Sequence, residues 1–336
     1  MNHPQKTEID FIIVGQGLAG TLVAYSLLKK NKNILVIDDE REFTSSRICG
    51  GMFTPISGKR MVKSKDTDTL LSYAKKIYRE MEQFLDAKLL NEKNIYAVFG
   101  SVKEQNDLSL KLDDANFLQH INLEPLPQEN IKQPFGAFEI IGSGWVNIKL
   151  LLEKFKEKLI SSNQYLKEKF DYALLKNENN KWSYKNFTAR TVIFCEGAKA
   201  TENTFFADLP FKFCKGDILY IKSEKLKTER IIKKGIGILH SHDDIFKIGS
   251  TYEWNDLSET PTESGKNMLL KKLDELIDVP YTVISHVAAI RPSTRTREPI
   301  IKQHPEFKNM FLLNGLGTKG VMNGPWTAKK LMEKLT

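Results

Sequence analysis

Three glycines near the start of the chain have the spacing of a nucleotide-binding turn. Gly15, Gly17 and Gly20 follow the apolar run 9–14, and Asp38 lies 18 positions after the last glycine. In such a turn, backbone N–H groups at a helix N-terminus approach a pyrophosphate, and the acidic side chain accepts hydrogen bonds from ribose hydroxyls. A turn that only packs a helix on a strand would explain Gly20, but not Gly17 together with Asp38. The spacing therefore predicts a dinucleotide site.

The same glycine spacing recurs near the other end of the sequence, at Gly315, Gly317 and Gly320. Only 16 residues follow Gly320, too few for a helix, a second strand and its acidic residue. This loop is therefore not expected to begin a second nucleotide-binding unit. One large cofactor that contacts both glycine-rich segments fits better, and FAD fits this pattern better than NAD.

Three of the nine arginines, Arg291, Arg295 and Arg297, fall within seven residues. A guanidinium can hold a carboxylate through two parallel hydrogen bonds, so a carboxylate-binding group is chemically available here. We expect Arg295 and Arg297 to be solvated turn residues.

The elements that must position the first glycine turn form one βαβ unit. The run 9–14 is typical of a buried parallel strand, apolar residues recur at helical spacing over 18–28, and 33–37 resembles a second strand that ends at Asp38. Further segments predict helices over 67–90, 147–162 and 266–277, strands over 94–102, 191–197, 217–223, 231–240, 244–251 and 309–313, and a last helix that begins near Pro325.

The order of these elements predicts a mixed fold, α/β plus α+β. We expect a discontinuous, Rossmann-like FAD-binding domain made of residues 1–85, 140–208 and 286–336. An inserted substrate domain with an antiparallel sheet would comprise residues 86–139 and 209–285. The sequence contains no repeat and no low-complexity linker, so the two domains should be interleaved.

The composition fits a globular protein with a substantial core: 336 residues, 41% hydrophobic and 27% charged. The net charge is +8, but only nine of the 50 basic residues are Arg and the lysines are scattered. A solvated, lysine-rich surface is favoured, and a nucleic-acid partner is the weaker alternative. Three irregularly spaced cysteines predict neither disulfides nor a metal site. No apolar run suits a signal peptide or a membrane span, so we expect a cytoplasmic protein.

Six further motifs resemble those of one family, in the family's order and across nearly the whole chain. They are Gly142-Ser-Gly-Trp-Val-Asn147, Thr191-Val-Ile-Phe-Cys-Glu-Gly-Ala198, Ile248-Gly-Ser-Thr251, Ile290-Arg-Pro-Ser-Thr294, Asn314-Gly-Leu-Gly-Thr-Lys-Gly-Val321 and Gly324-Pro325. With the first glycine turn, they make the sequence similar to the D-amino-acid oxidase and glycine/sarcosine oxidase superfamily of FAD-dependent oxidoreductases. The motifs are specific for the family and say little about the substrate.

The resemblance implies roles for individual residues around FAD. The ADP half would be held by Gly15, Gly17, Leu18, Ala19, Gly20, Asp38 and Asp39. The loop that passes between the diphosphate and the flavin ring would contain Ser45, Ser46, Gly50 and Gly51, and Gly197 would lie against the cofactor. Backbone N–H groups for the flavin pyrimidine oxygen would come from the segment with Gly315, Gly317, Thr318, Lys319 and Gly320.

Two cations would serve the substrate. Arg291 matches the family's arginine that clamps a substrate carboxylate, and Lys319 stands where some relatives have a second cation, although an ordinary surface lysine is a close alternative. The sequence departs from the family at Thr296, where an Asp is expected, and at Lys302, where a Gly is expected. No cysteine adjoins Arg291 or Lys319 in the sequence, and Cys49 should be a small buried thiol, so we expect non-covalent FAD.

Glycine and sarcosine oxidases commonly have an aromatic residue on the strand that faces the flavin, but the matching segment 235–240 contains no Tyr. His240 and His242 have strand spacing and could line a pocket on one face. A partly exposed pair in a hairpin is favoured.

The activity that the resemblance implies is oxidation of the C–N bond of an amino acid or an N-substituted glycine. Arg291 would hold the carboxylate, hydride transfer from the neutral amine to flavin N5 would give an imine, and water would hydrolyse the imine. Oxygen or another electron acceptor would complete the cycle. Two alternatives stay open: an oxidase of an amine-bearing modified uridine in tRNA, and a catalytically silent flavin-binding protein.

Overall fold

The computed structural model describes residues 6–58, 60–64 and 66–335. The α-helices are α1 (Leu18–Leu28), α2 (Ser45–Ile48), α3 (Thr67–Leu85), α4 (Val102–Ser109), α5 (Ala115–Leu118), α6 (Ile148–Ser161), α7 (Glu263–Asp274) and α8 (Gly320–Lys334). The strands are β1 (Thr7–Val14), β2 (Ile34–Asp38), β3 (Met52–Phe53), β4 (Leu90–Asn91), β5 (Ile95–Val98), β6 (Ile121–Asn122), β7 (Ala137–Ile140), β8 (Gly144–Val146), β9 (Tyr165–Lys167), β10 (Lys176–Glu178), β11 (Lys181–Tyr184), β12 (Phe187–Phe194), β13 (Cys214–Lys222), β14 (Ile231–Lys234), β15 (Ile236–His242), β16 (Ile245–Gly249), β17 (Thr282–Arg291), β18 (Ile300–Gln303) and β19 (Met310–Asn314).

The first sheet has the strand order β10-β11-β12-β1-β2-β9, with β19 and then β18 added beside β12. β1 is parallel to β2 and to β12, with Ile13 opposite Val36 and Ile193. These strands are continuous apolar runs because both sheet faces are covered: α1, α3 and α8 pack on one face, and an aromatic cluster packs on the other. The predicted βαβ unit is confirmed.

Parallel strands end at the same edge of a sheet, and this edge gathers residues from both ends of the chain. Gly15 follows β1, Asp38 ends β2, Glu196 lies two residues after β12, and Gly315 follows β19. In open sheets of this kind, ligands bind outside the carboxyl ends of the strands.

The second sheet has the order β17-β13-β16-β15-β14-β5-β7-β6 and is antiparallel apart from the β14 and β5 pair. One face, which includes Leu219 and Ile248, packs against α7. On the other face, Ile218 and Ala289 contact Ile48 of α2. A small sheet, β3-β8-β4, completes the architecture. The predicted combination of a parallel nucleotide-binding sheet and an antiparallel sheet is confirmed.

One predicted domain boundary falls within a strand. β17 pairs with β13 from Thr282 to Arg291, so residues 286–291, predicted for the FAD-binding domain, lie in the antiparallel sheet. The chain leaves this sheet only after Arg291. The domain boundaries stay a prediction.

Several predicted elements differ from the observed ones at their ends. The helix predicted over 67–90 stops at Leu85, because Asp86 adopts a left-handed conformation with φ of 48°. The strand predicted over 231–240 is two strands that turn at Gly235, where φ is 67°.

The strand predicted over 94–102 is limited to β5, because a helix begins at Val102. Ser101 caps this helix by accepting the backbone N–H of Glu104, and the Glu104 carboxylate accepts the N–H of Gly100. This resembles a capping box, a sequence signal that could have indicated α4.

The last helix begins at Gly320 and not near Pro325, which lies inside it. Proline has no N–H for the carbonyl one turn earlier, here that of Val321. The hydroxyl of Tyr78 in α3 donates to this carbonyl at 2.9 Å. A tertiary hydrogen bond thus replaces the helical bond that the proline removes.

None of the helices in the described residues has the length and apolar character needed to span a membrane. Cys49, Cys195 and Cys214 are free thiols.

Candidate active site

A cleft of about 300 Å³ lies between the carboxyl edge of the first sheet and the second sheet. The predicted site residues that line it are Gly15, Gly17, Leu18, Ala19, Asp38, Asp39, Ser45, Ser46, Gly50, Gly51, Gly197, Arg291, Gly317, Thr318 and Gly320. Three predicted residues do not line it: Gly20, Gly315 and Lys319.

The first glycine turn can approach a ligand with its backbone. Gly17 is the N-cap of α1 and offers no capping side chain, and the first helical turn contains no acidic residue. The Leu18 N–H donates to the Ser46 hydroxyl at 3.1 Å, which ties the turn to α2. A Cβ on Gly20 would lie 1.8 Å from the Gly15 carbonyl oxygen, so Gly20 serves helix–strand packing. The helix N-terminus itself suits a pyrophosphate.

Asp38 presents an ordered carboxylate to the cleft. It accepts the backbone N–H of Gln16 at 2.6 Å and that of Glu40 at 2.8 Å. Burial raises the pKa of Asp38, and these two hydrogen bonds oppose the rise. Close to Asp38 in the sequence, Arg41 donates a hydrogen bond to the Glu259 carboxylate at 2.7 Å, and both residues line the cleft.

The loop after α2 runs along the cleft and is fixed at two points. Gly51 has φ of 66°, and a Cβ there would lie 2.0 Å from the Val146 carbonyl oxygen, so the position requires glycine. The Lys247 ammonium donates to the Cys49 carbonyl at 3.2 Å. Burial lowers the pKa of Lys247 and raises that of the Cys49 thiol.

The second glycine-rich loop reaches the cleft with only some of its residues. Gly317–Lys319 is a 3₁₀ turn, in which successive side chains point about 120° apart. Thr318 lines the cleft, and the next residue, Lys319, does not. Lys319 is partly exposed, and its role as a second cation for the substrate stays a prediction.

Gly315 and Gly197 are joined through Asn314. The Gly315 N–H donates to the Asn314 amide oxygen at 2.7 Å, and the amide nitrogen donates to the Gly197 carbonyl at 2.9 Å. A Cβ on Gly197 would meet nothing within 4 Å, because the residue faces the open cleft. Gly315 therefore positions the wall of the cleft without lining it.

Arg291 ends β17 and lines the cleft with a guanidinium that is held on two sides. Its Nη1 donates to the Lys215 carbonyl at 3.2 Å and to the Cys214 sulfur at 3.4 Å. Its Nη2 donates to the Thr251 carbonyl at 3.0 Å and to the Ser250 hydroxyl at 2.5 Å. Four of the five N–H groups thus have partners among the described residues, which leaves the Nε–H for a ligand.

Two residues that sequence reasoning missed shape this end of the cleft. The Tyr252 ring lies over the Arg291 guanidinium, 4.7 Å from the ring centroid, and Tyr252 is 60% exposed. A Cβ on Gly216 would lie 1.9 Å from Arg291 Nη2, so glycine is needed under the guanidinium. Tyr252 is an aromatic residue of the cleft lining, and it directly follows the motif 248–251.

Glu196 is a further missed residue of the cleft. Its carboxylate accepts hydrogen bonds from the Tyr172 hydroxyl and from the Asn203 amide at 2.7 Å. Burial raises the pKa of Glu196 to about 7, against the effect of these two hydrogen bonds, and Glu202 adds to the rise. An acidic residue directly after the buried run 191–195 was the available signal.

The other titratable residues singled out in the sequence lie outside the cleft. Arg295 and Arg297 are exposed, as predicted. His240 and His242 lie in a hairpin, where a ring nitrogen of His240 is 2.6 Å from the Asp243 carbonyl oxygen. Over residues 6–58, 60–64 and 66–335, no group of three or more His, Cys, Asp or Glu side chains could hold a metal ion.

The donors around the cleft fit FAD. The N-terminus of α1 offers N–H groups for a diphosphate, and Asp38 offers a carboxylate for ribose hydroxyls. At the other end, α8 begins with the N-cap Lys319, whose side chain makes no capping hydrogen bond, beside the lining residues Gly317, Thr318 and Gly320. N–H groups there suit the electron-rich pyrimidine edge of a flavin.

Residues 10–334 match the family described as FAD dependent oxidoreductase. The chain belongs to this family, which confirms the resemblance read from its motifs and establishes FAD as the cofactor.

Relatives and solved structures agree with this membership. Glycine oxidase of Bacillus subtilis (strain 168) is 22% identical over 351 residues, which cover 96% of this chain and 91% of the relative. A glycine oxidase structure from Bacillus cereus ATCC 14579 shares the fold, with a TM-score of 0.80, 18% identity, and coverage of 97% of this chain and 94% of that chain.

A second kind of relative is longer than this chain. The tRNA 5-methylaminomethyl-2-thiouridine biosynthesis bifunctional protein MnmC of Legionella pneumophila (strain Lens) is 25% identical over 346 residues, which cover 93% of this chain. The chain spans 48% of the length of that relative.

Proposed function

We propose that this FAD-dependent oxidoreductase oxidises the C–N bond of an amino acid or an N-substituted glycine. The observation that carries the proposal is the guanidinium of Arg291, fixed in the cleft with its Nε–H available. A carboxylate is the natural ligand of such a group, because charge-assisted hydrogen bonds are stronger than neutral ones. Two relatives named glycine oxidase support this substrate class.

The residues around Arg291 can share the binding of a carboxylate. The Nε–H and Nη2 lie on one edge of the guanidinium, so a carboxylate on this edge would lie beside the partners of Nη2, which are Ser250 and Thr251. The Ser250 hydroxyl accepts from Nη2 and keeps its own proton to donate. Tyr252 covers the guanidinium and reduces its contact with water. The charge of Arg291 also favours the neutral form of a nearby amine, which is the form that can be oxidised.

When bound, FAD supplies a two-electron acceptor for a hydride from the carbon next to the amine, and water hydrolyses the resulting imine. The protein's part is to hold the substrate carboxylate and the ADP half of the cofactor in fixed positions. We propose that FAD is bound non-covalently, because burial raises the pKa of Cys49 and Cys195, the cysteines that line the cleft. Oxygen or another acceptor completes the cycle. A cytoplasmic location stays a prediction.

The test is the visible spectrum of the purified protein, taken anaerobically before and after adding amino acids and N-methyl amino acids. We expect one of these classes to bleach the flavin, and the Arg291→Ala protein to keep its flavin but lose this bleaching. Arg190→Ala, at an exposed arginine outside the cleft, is the matched control. Unchanged bleaching in Arg291→Ala would contradict the proposal.

A second candidate, oxidation of an amine-bearing modified uridine in tRNA, has its own support. The MnmC relative matches 93% of this chain. Lys212 and Arg295 are exposed, and a bridge between Phe211 and Thr294 brings their segments together. Trp254 is 46% exposed and its ring lies 5.1 Å from the Lys212 ammonium. Cations beside an exposed aromatic ring suit an RNA chain.

The same spectrum separates the candidates. Bleaching by tRNA that carries the modified uridine, but by no free amine, would favour the RNA substrate. A flavin that neither class reduces would favour a catalytically silent flavin-binding protein.

A further inference from the structure

Asp217, next to Gly216 on β13, is an acidic side chain buried among polar partners. It is 1% exposed. One carboxylate oxygen accepts the Thr262 backbone N–H at 2.9 Å and lies 3.0 Å from His286 Nε2. The other accepts the Thr251 hydroxyl at 3.0 Å. Asp217 does not line the cleft, so any effect on a ligand must pass through its partners.

Thr251 connects Asp217 to Arg291. The Asp217 N–H donates to the Thr251 side-chain oxygen at 2.8 Å, and the Thr251 N–H donates to the Asp217 carbonyl at 3.2 Å. With the hydroxyl–carboxylate bond, three hydrogen bonds fix Thr251. Its own carbonyl accepts from Arg291 Nη2 at 3.0 Å. The direction of the guanidinium edge therefore depends on the Asp217 carboxylate.

Asp217 also fixes both ends of residues 252–261, which we call the strap. Thr251 precedes the strap and Thr262 follows it, and both donate to the same carboxylate. The first residue of the strap, Tyr252, covers the guanidinium. One carboxylate thus fixes both Thr251, whose carbonyl accepts a hydrogen bond from Arg291, and the strap, whose first residue covers the guanidinium.

The surroundings of Asp217 suit a carboxylate rather than an apolar side chain. Thr262 is the N-cap of α7, so the positive end of the helix dipole faces Asp217. A Cβ on Gly265 would lie 2.7 Å from the carboxylate, and α7 comes this close only because position 265 has no side chain. In this arrangement the Asp217 side chain is held by directional hydrogen bonds as well as by packing.

We infer that Asp217 is a positioning residue, which holds the Thr251 carbonyl and the strap so that Arg291 is aligned for a substrate carboxylate. The inference rests on the proposed carboxylate-binding role of Arg291. It assigns Asp217 no contact with the substrate or with FAD.

The test uses the holoprotein and a simple carboxylate, acetate, whose binding is followed by the change in the flavin spectrum. The variants are Asp217→Ala and the pair Thr251→Val and Thr251→Ser. Valine keeps the shape of threonine without its hydroxyl, whereas serine keeps the hydroxyl. Asp274→Asn is the control, because Asp274 accepts a hydrogen bond from Tyr281 at 2.6 Å on the surface of the same domain.

We expect the Kd for acetate to rise tenfold or more in Asp217→Ala and in Thr251→Val, and to stay within twofold in Thr251→Ser and Asp274→Asn. With an oxidisable amino acid the loss should fall on KM more than on kcat, and the flavin content of Thr251→Val should remain that of Thr251→Ser. A larger effect on KM than on kcat, at unchanged flavin content, separates a positioning role from a general structural role. Thr251→Val also keeps the test decisive if Asp217→Ala does not fold.

The outcomes are distinct. Wild-type affinity for acetate in both Asp217→Ala and Thr251→Val would overturn the inference and leave the proposed function intact. A wild-type holoprotein whose flavin responds to neither acetate nor any amino acid would overturn the proposed function, and the inference with it.

Discussion

The ammonium group of Lys215 has no exposed surface and lies 2.6 Å from the carboxylate of Asp256, in the middle of the strap. Hydrogen bonding to Lys215 lowers the pKa of Asp256 to about 2, so the Asp256 carboxylate is ionised at neutral pH. The Ser258 hydroxyl accepts a second bond from the same ammonium at 3.1 Å. The strap is therefore tied at its middle as well as at its ends.

Asp256→Asn should loosen the strap, because it leaves the buried ammonium without its counter-charge. We expect chymotrypsin to cleave after Trp254 and Leu257 several times faster than in the wild type, as followed by mass spectrometry. Glu263→Gln is the control, since Glu263 makes only a surface ion pair with Lys266, 3.8 Å long. Equal cleavage rates in all three proteins would show that this ion pair does not hold the strap.

Gly216→Ala should displace Arg291 and leave the FAD site intact. The new Cβ would lie 1.9 Å from Nη2, so the guanidinium must leave its hydrogen bonds to the Lys215 and Thr251 carbonyls. We expect acetate binding to weaken at least tenfold at unchanged flavin content. Gly237→Ala is the control, because Gly237 lies on the same sheet and a Cβ there would lie an ordinary 3.4 Å from its nearest neighbours. This variant should bind acetate like the wild type. Wild-type affinity in Gly216→Ala would show that the guanidinium has other productive positions.

Tyr78→Phe should destabilise the protein by about 1–3 kcal/mol, because it leaves the buried Val321 carbonyl without a donor. Burial also raises the pKa of Tyr78, so its hydroxyl stays protonated throughout the working pH range. Urea unfolding of the apoprotein measures the change. Tyr73→Phe is the control, since Tyr73 is also in α3 and contacts Trp326 of α8 through its ring. A midpoint for Tyr78→Phe equal to that for Tyr73→Phe would contradict the prediction.

Glu196 should make the apoprotein less stable as the pH rises from about 5 to 7. Its pKa is about 7 in the folded protein against 4.5 for the ordinary side chain, mainly because of burial. Between these values the folded state holds the proton that the unfolded state has lost, so the free energy of unfolding falls as pH rises and levels off above 7. Such a shift is equivalent to about 3 kcal/mol.

Urea unfolding at pH 5 and pH 8 tests this pH dependence. Glu196→Gln should lose most of the decrease, because the amide does not titrate. Glu202→Gln should retain most of it, since burial is the largest cause of the raised pKa of Glu196 and the charge of Glu202 is the smallest. The same decrease in Glu196→Gln as in the wild type would assign the effect to another group.

The first glycine turn could be predicted from the sequence because all of its parts lie within residues 9–38. Strand, turn, helix and acidic residue are near neighbours in the chain, and each has a local pattern of its own. The same locality explains why α6 and α7 were placed almost correctly.

The substrate end of the cleft could be predicted only in part. Arg291 was found through its motif, but its partner Lys215 comes from β13 and its partner Ser250 follows β16, and no spacing rule links them to Arg291. Lys319 does not line the cleft, and its role as a second cation stays a prediction. The roles of Tyr252 and Asp217 depend on how β13, β16 and β17 pair, which local patterns do not fix.

The packing of the last helix against the first has a consequence for how the protein acquires its cofactor. A Cβ on Gly324 would lie 2.8 Å from the Leu22 side chain, and Leu316 and Val321 line the same cleft as Gly15 and Gly17. The complete cleft therefore needs residues 316–334 as well as the first glycine turn. In the order of synthesis, the cofactor site is complete only after this late segment has been translated.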